Sequence, residues 1–169
     1  ATVNVKETVP TKEGYTFDGW TTTDVTVENK SFTMPAKDVT LTAQWKANIY
    51  KVTYDLAGGS WTEKTNEFKY EYNATVEVIK TVPTREGYKF SGWRSEEVTI
   101  ENDAFTMPAK DVVLKAVWEA NIYNVTYDLN GGEWTEATNE FPYEYKATVE
   151  VIKTVPTREG YKFSGWRSE

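Results

Sequence analysis

Residues 81–93 read TVPTREGYKFSGW, and the same letters return at residues 154–166. Residues 8–20 carry a related copy, TVPTKEGYTFDGW, so the offset between copies is constant (81 − 8 = 154 − 81 = 73). Residues 74–96 and 147–169 are identical throughout. Self-similarity at a fixed spacing of this size is the signature of a tandem array. We therefore expect structural units that repeat at this interval.

This spacing divides the chain into one whole unit and two incomplete ones. We define residues 1–46 as the first part (the C-terminal part of a repeat), residues 49–118 as the central unit, and residues 122–169 as the third part (the N-terminal part of a repeat). The connectors at 46–49 and 119–122 contain no glycine, proline or serine. Connectors this short and of this composition are not flexible coils, so we expect a stiff rod.

The composition narrows the classes of function. The chain has 19 Lys and Arg against 26 Asp and Glu, a net charge of −7, which argues against nucleic acid or an anionic membrane as a partner. It contains no cysteine and no histidine. Their absence excludes disulfides, thiol nucleophiles, Ser-His-Asp triads and Cys/His zinc sites. We expect no enzyme activity and no cofactor.

The two ends of the sequence and its hydropathy bear on location. No stretch approaches the roughly 20 apolar residues of a transmembrane helix, so we expect no membrane span in this segment. The chain begins at Ala1 without a methionine or a charged and apolar leader. We interpret it as a piece of a longer protein.

Alternation of apolar and polar residues predicts β-strands. It is clear in residues 39–45 and 50–56, and it continues in residues 68–72. The position of Lys69 is taken by Pro142 in the next copy. Proline cannot donate a hydrogen bond to a sheet, so this strand should lie at an edge with that backbone nitrogen pointing outward.

The remaining segments are read less directly. Residues 88–90 and 98–101 are predicted strands, and Asn102–Asp103 is a predicted turn before residues 105–107. Residues 74–82 fit either a strand or one turn of helix, and we favour a short helix crossing the sheet. The predicted class is mostly β or α+β.

Several motifs together resemble a known family. They are VTYDLAGG (52–59), PTREGYKFSGW (83–93), MPAKDV (107–112) and AVW (116–118), with a closer copy at 10–20. In this order they resemble the internalin B-repeat, also called the Listeria–Bacteroides repeat. The resemblance implies tandem β-grasp-like, ubiquitin-like domains in secreted bacterial surface proteins, used as stalks or adhesion modules. It carries over no catalytic or binding residues.

The tryptophans are the candidate ligand contacts. Trp61 and Trp134 follow the double glycines and lie among polar residues, so we choose them as the residues most suited to contact a glycan or protein. The tryptophans at the ends of alternating strands are assigned to the core. These are Trp20, Trp45, Trp93 and Trp118.

Two further chemistries receive less support. Clustered carboxylates could bind Ca²⁺, but no metal-loop spacing accompanies them, so we favour a solvated acidic face and expect no metal. Some lysines and asparagines are placed in the sequence where they could form an intramolecular amide crosslink, but no pattern singles out a buried trio of lysine, asparagine and an acidic residue. The carboxylates are Glu96, Glu97, Glu101 and Asp103, and the crosslink candidates are Lys51, Lys115, Asn48 and Asn121.

Three functions remain open. The first is a non-catalytic, extracellular stalk on the bacterial cell surface or wall, whose partners are neighbouring repeats of the same chain. The second is multivalent binding of a host or cell-surface protein or glycan. The third is a filament of copies joined head to tail, in which strands around Tyr123–Leu129 supply what residues 1–46 need.

Overall fold

The computed structural model describes residues 1–168, and these contain β-strands and no helix. The prediction of a mostly β chain is therefore confirmed. The strands are β1 (Thr2–Asn4), β2 (Tyr15–Thr21), β3 (Ser31–Thr33), β4 (Thr42–Ala47), β5 (Ile49–Asp55), β6 (Glu67–Glu71), β7 (Thr75–Glu77), β8 (Tyr88–Arg94), β9 (Ala104–Thr106), β10 (Val112–Ala120), β11 (Ile122–Thr126) and β12 (Glu140–Glu144).

The central unit forms a four-stranded mixed sheet in the order β6-β5-β10-β8. Its two middle strands, β5 and β10, run parallel, with Val52 opposite Val112 and Tyr54 opposite Leu114. The outer strands β6 and β8 pair antiparallel with them. A parallel pair needs a long crossover connection, and residues 56–111 provide it. The specific β-grasp architecture stays a prediction, since no helix crosses this sheet in residues 1–168.

The short helix expected at residues 74–82 is wrong. Residues Thr75–Glu77 form β7, which pairs antiparallel with β9 and places Val76 opposite Phe105. Val76 and Val78 are both buried, as alternation along a strand requires. β-branched side chains fit a pleated, half-buried surface, and here the pairing with β9 overrides the local helical spacing.

Of the two predictions for the segment before β9, the turn is confirmed and the strand is wrong. Asn102 and Asp103 have φ of 50° and 60°, which makes the two-residue hairpin turn that joins Glu101 to Ala104. The strand predicted at residues 98–101 is absent apart from that single bridge. Val98 and Ile100 do pack against the core. The apolar spacing of these residues thus reflects the burial of their side chains, although no neighbouring strand forms hydrogen bonds with their backbone.

The core lies between the four-stranded sheet and the antiparallel β7–β9 pair. Val52, Tyr54, Met107 and Leu114 are at most 1% exposed. Burying one such side chain stabilises the fold by about 1.5–3 kcal/mol. The Tyr54 hydroxyl accepts a hydrogen bond from the Ile79 backbone N–H at 3.0 Å, so its polar atom is satisfied inside the core.

The edge strand inferred from Pro142 is confirmed. Strand β12 pairs only with β11 in the described residues, and β6 occupies the matching edge of the central sheet. The Tyr145 N–H donates to the Asn121 carbonyl at 2.8 Å, and alternate residues from there along β12 face β11. Pro142, opposite Asn124, is at an intervening position. Its nitrogen therefore points away from the sheet.

Candidate functional site: the junctions between units

A single residue joins each unit to the next. Strand β4 ends at Ala47 and β5 begins at Ile49, so only Asn48 lies between them. The Asn48 N–H donates to the Gly14 carbonyl at 2.9 Å, and the Asn48 carbonyl accepts from the Tyr72 N–H at 2.8 Å. The first bond extends the β2–β4 pair and the second extends the β5–β6 pair. One residue thus belongs to both sheets, and no free linker separates them.

A glycine and a tyrosine ring close this junction. Gly14 is buried and has φ of 74°, a conformation that residues with a Cβ rarely adopt. A Cβ there would also overlap the ring of Tyr72, which lies directly over the glycine. The Tyr72 ring makes an edge contact with Tyr15 at 5.3 Å between centroids. The ring of one unit therefore occupies space that only glycine leaves open in the unit before it.

The second junction repeats this geometry. The Asn121 N–H donates to the Gly87 carbonyl at 2.9 Å, and the Tyr145 N–H donates to the Asn121 carbonyl at 2.8 Å. Gly87 is buried beneath the Tyr145 ring, which makes an edge contact with Tyr88 at 5.5 Å. Both junctions thus have the same donors, acceptors and ring contact, so the arrangement belongs to the repeat.

The third copy of the glycine shows the position without a neighbour. Gly160 has φ of 76°, close to that of Gly14 and Gly87, but within residues 1–168 no atom outside its own turn lies within 4 Å of the position that a Cβ would occupy. The positive φ therefore comes from the turn itself. The close approach of a tyrosine ring comes from the junction. These two requirements can be separated by experiment.

Cations cover the tyrosines beside the glycines. The Lys12 ammonium lies 4.1 Å from the Tyr15 ring centre, and the Arg85 guanidinium lies 4.1 Å from that of Tyr88. An exposed cation over an aromatic face contributes about 0.5–1 kcal/mol. These cation–aromatic pairs help to position Tyr15 and Tyr88, the tyrosines that the ring of the next unit contacts.

The short connectors predict a stiff rod, but the sequence alone did not identify the residues that contact one another at the junctions. The signal was present, because Gly14 and Gly87 share the motif EGY, and Tyr72 and Tyr145 occupy equivalent positions of successive repeats. Nothing in the sequence says that these two motifs meet, since most of a repeat separates the glycine from the tyrosine that covers it. Only the folded chain brings them together.

The candidate ligand contacts lie in an aromatic cluster. The Trp61 ring is 5.1 Å from Tyr54 and 5.7 Å from Trp93, and its indole N–H donates to the Asn66 side chain at 2.9 Å. Trp134 has the matching contacts, including a 2.8 Å bond to Asn139. Both side chains are half-buried. A ligand could reach only part of each ring, and contact with one stays a prediction.

The tryptophans assigned to the core also sit at its margin. Trp20, Trp45, Trp93 and Trp118 are half-buried. The Trp118 indole N–H donates to the Leu56 carbonyl at 3.0 Å, and the Trp118 ring lies beside Gly59. Trp93 packs against the aliphatic core, as does Trp61. Trp118 instead packs on the Phe90 ring and the turn at Leu56–Gly59.

One carboxylate before β9, that of Glu97, bonds to the backbone. The Glu97 carboxylate accepts from the Ser95 hydroxyl at 2.8 Å and from the Val113 N–H at 3.3 Å. These bonds, the hydroxyl first, hold the pKa of Glu97 below its usual value. Within residues 1–168, no three His, Cys, Asp or Glu side chains are grouped in a way that could hold a metal ion.

The residues considered for an amide crosslink have other partners. The Lys51 ammonium lies 3.4 Å from Glu67, and the Lys115 ammonium lies 3.8 Å from Asp55. All four of these side chains are substantially exposed. Asn48 and Asn121 lie at the junctions, where their side-chain amides approach tyrosine hydroxyls. Among the described residues, these hydrogen bonds and ion pairs do not join either lysine to either asparagine.

The fold and its junctions define a tandem-repeat β protein, and comparison with known proteins identifies the family. The Listeria–Bacteroides repeat domain matches residues 50–117 and 123–169, and the divergent InlB B-repeat domain matches residues 2–49. The chain belongs to the Listeria–Bacteroides repeat family, as its motifs indicated. The exact boundaries of its units stay a prediction.

Three relatives are similar to the chain over part of their length. Two proteins of Evansella cellulosilytica, named only as candidate membrane proteins and one of them Gly-rich, are each 33% identical and cover 94% and 92% of this chain. Internalin H of Listeria monocytogenes is 36% identical over 69% of the chain. The chain spans 23%, 18% and 22% of these proteins, respectively. No solved structure matches. In the described residues, no helix has the length and apolarity needed to cross a membrane.

Proposed function

We propose that the chain is a non-catalytic spacer of an extracellular bacterial surface protein, in which successive units form a stiff stalk. The observation that carries this proposal is the junction. At both junctions one asparagine bonds through its N–H to the unit before and through its carbonyl to the unit after. A connector bonded on both sides cannot swing as a free linker does.

The sheet topology supports a mechanical role. The chain enters the central unit at the start of β5 and leaves it at the end of β10, and these strands are adjacent and parallel. The entry and exit points therefore lie at opposite ends of the sheet. Tension along the chain slides β5 against β10, so their hydrogen bonds resist together instead of opening one at a time. A compact unit of this size adds about 3 nm to the stalk.

The relatives support the proposed location. One is an internalin, and two are named as candidate membrane proteins. The net charge of −7 would keep a crowded array of such units soluble and mutually repelling. The absence of cysteine means that the stalk does not depend on disulfides for strength.

The test is the distance between equivalent points on neighbouring units. Because the chain has no cysteine, spin labels can be placed cleanly at Lys64→Cys and Ala137→Cys, which are exposed and occupy equivalent positions of successive repeats. Thr23→Cys with Glu96→Cys reports on the other junction. We expect narrow distance distributions by pulsed electron paramagnetic resonance.

A broad distribution at either junction, like that of a flexible tether, would contradict the stalk. Small-angle scattering gives an independent check, because the maximum dimension of longer arrays should grow linearly with the number of units. A size that does not grow with unit number would contradict it as well.

A further inference from the structure

One asparagine of the chain is followed directly by glycine. Among all the asparagines, only Asn130 has this neighbour, Gly131. Residues 129–132 read LNGG, and the equivalent residues 56–59 of the central unit read LAGG. The chain thus contains two copies of one turn, and within these four positions they differ only in the side chain before the first glycine.

The two turns have the same backbone. Asn130 and Gly131 have φ of 45° and 79°, and Ala57 and Gly58 have φ of 48° and 86°. In both turns the N–H of the last glycine donates to the leucine carbonyl at 2.9 Å. The conformation is therefore set by the repeat, and the asparagine is not needed to form it.

The groups that could react in the Asn130 turn are accessible. Asn130 and Gly131 are both exposed. Within residues 1–168, neither the Asn130 carboxamide nor the Gly131 N–H makes a hydrogen bond. Gly58 is exposed as well, although Trp118 packs beside that turn in the complete unit. The accessibility is therefore a property of the turn in a complete unit too.

The other asparagines are less suited to react with the backbone that follows them. A side chain on the next residue shields its backbone nitrogen, and only glycine has none. Asn48 and Asn121 are each followed by isoleucine. Asn66 and Asn139 are followed by glutamate, and each accepts a hydrogen bond from a tryptophan indole, at 2.9 and 2.8 Å. Asn130 alone combines a free carboxamide with an unshielded neighbouring nitrogen.

We propose that Asn130 is a site of spontaneous covalent modification that destabilises its own turn with time and leaves the central unit unchanged. The Gly131 backbone nitrogen loses its proton, attacks Cγ of Asn130 and forms a succinimide ring. The Cγ–Nδ2 bond breaks, and the side-chain nitrogen takes up a proton and leaves as ammonia. Water then opens the ring at either of its carbonyls, which gives aspartate or isoaspartate at position 130.

The isoaspartate product should loosen the strand bridge that follows the turn. It adds a methylene to the backbone two residues before Gly132, where a Cβ would already lie 2.9 Å from the Thr157 carbonyl. The bridge joins Glu133 to Thr157, with N–H to carbonyl distances of 2.8 and 2.7 Å. The new carboxylate also lies near that of Asp128, which accepts from the Asn130 N–H at 2.9 Å, and like charges repel.

Peptide mapping by mass spectrometry tests the site. The full chain, incubated in mildly alkaline buffer, should gain about 1 Da at position 130, because a side-chain NH2 is replaced by OH. The product should separate into two forms, of which only isoaspartate is methylated by an isoaspartate methyltransferase. Asn130→Ala reproduces the central turn and should remove the gain. Ala57→Asn should create the same gain in the complete unit, since asparagine tolerates positive φ better than alanine does.

Hydrogen exchange followed by NMR tests the consequence within one molecule. In the isoaspartate form, the amides of Glu133 and Thr157 should lose protection. The amides of Ser60 and Thr84, which form the equivalent bridge of the central unit, should keep theirs. Asn130→Asp adds the charge without lengthening the backbone, so it should lose less protection than the isoaspartate form.

The absence of a mass gain at position 130 in the folded chain would overturn the proposal, with the urea-unfolded chain as the positive control. Equal gains at asparagines not followed by glycine would overturn the role of Gly131. A gain at position 130 without one in Ala57→Asn would overturn the assignment to the shared turn. Unchanged protection of the 133–157 bridge would overturn the loss of stability. None of these results bears on the junctions, so the stalk is tested separately.

Discussion

Replacing Gly87 by alanine should destabilise the junction between the central unit and the third part, and the free energy lost from the broken junction contacts should exceed the cost of backbone strain in the turn. Two costs are involved. The first is the positive φ of 74°, which costs a residue with a Cβ about 1–2 kcal/mol. Reduced freedom of the unfolded chain offsets about 0.4–1 kcal/mol of this. The same change at Gly160, where φ is 76° and no neighbour approaches, should show only this net cost of about 1 kcal/mol.

The second cost is the displacement of the Tyr145 ring. Its edge contact with Tyr88 contributes about 0.5–1.5 kcal/mol. The two backbone hydrogen bonds of Asn121 contribute about 1 kcal/mol each if they are lost with it. The Gly87→Ala variant should therefore lose about 3 kcal/mol more local stability than Gly160→Ala. Hydrogen exchange resolved by NMR at the junction amides is the appropriate measurement, since the effect is local.

A double-mutant cycle separates ring displacement from backbone strain. Tyr145→Ala removes the ring, so Gly87→Ala added to that background should cost only the strain of about 1 kcal/mol. The coupling energy between the two changes should then be about 3 kcal/mol, the whole loss beyond the strain. Equal effects of alanine at Gly87 and Gly160, or a coupling near zero, would refute the assignment of this pair as the junction contact.

Three further outcomes are expected. Burial raises the pKa of Tyr54, so the stability that depends on its neutral hydroxyl is present below the ordinary pKa of 10.0 and is lost as the pH rises through the folded value. Tyr54→Phe should therefore make the free energy of unfolding, measured with urea, less dependent on pH above pH 10. At neutral pH the same variant should cost about 1–2 kcal/mol, because the Ile79 N–H loses its acceptor. Hydrogen bonding lowers the pKa of Glu97, so its contribution to the stability of the fold is present above the ordinary pKa of 4.5 and is lost as the pH falls through the folded value. Glu97→Gln should weaken this loss of stability in acid, followed by circular dichroism during a pH titration. An unchanged pH profile would contradict the hydrogen bonds described. Lys146 has φ of 64° at the position where the central unit has Asn73, and asparagine tolerates this conformation better than lysine. Lys146→Asn should therefore stabilise the fold by about 0.5–1 kcal/mol and raise its melting temperature. No gain would show that the turn is unstrained.

The local pattern of the sequence predicted the strands that have both a clear alternation and a partner. Residues 50–56 alternate cleanly and all but the last lie in β5 (Ile49–Asp55), and Pro142 placed its strand at an edge. The pattern misled at residues 74–82 and 98–101. In both segments the spacing correctly marked buried side chains, but the backbone state depended on whether another strand lay alongside.

The sequence pointed to the connectors but not to the contacts made there. The short connectors predict a stiff rod, which stays a prediction, and the structure shows that the backbones of Asn48 and Asn121 each bond to the units on both sides. The tryptophans chosen as ligand contacts, Trp61 and Trp134, lie among polar neighbours in sequence but among aromatic rings in space. Sequence neighbours do not report which rings a folded sheet brings into contact.

The repeat spacing, the family and the mostly β class were all determined by the sequence alone, because a repeat is read directly from matching residues at a constant interval and strand alternation is a local property. The tertiary structure alone decided how one unit is joined to the next. A glycine carbonyl, an asparagine backbone and a tyrosine ring come from distant points of the chain, and they meet only when two sheets share one residue. Contact between residues that far apart depends on the completed sheet, which no local pattern encodes.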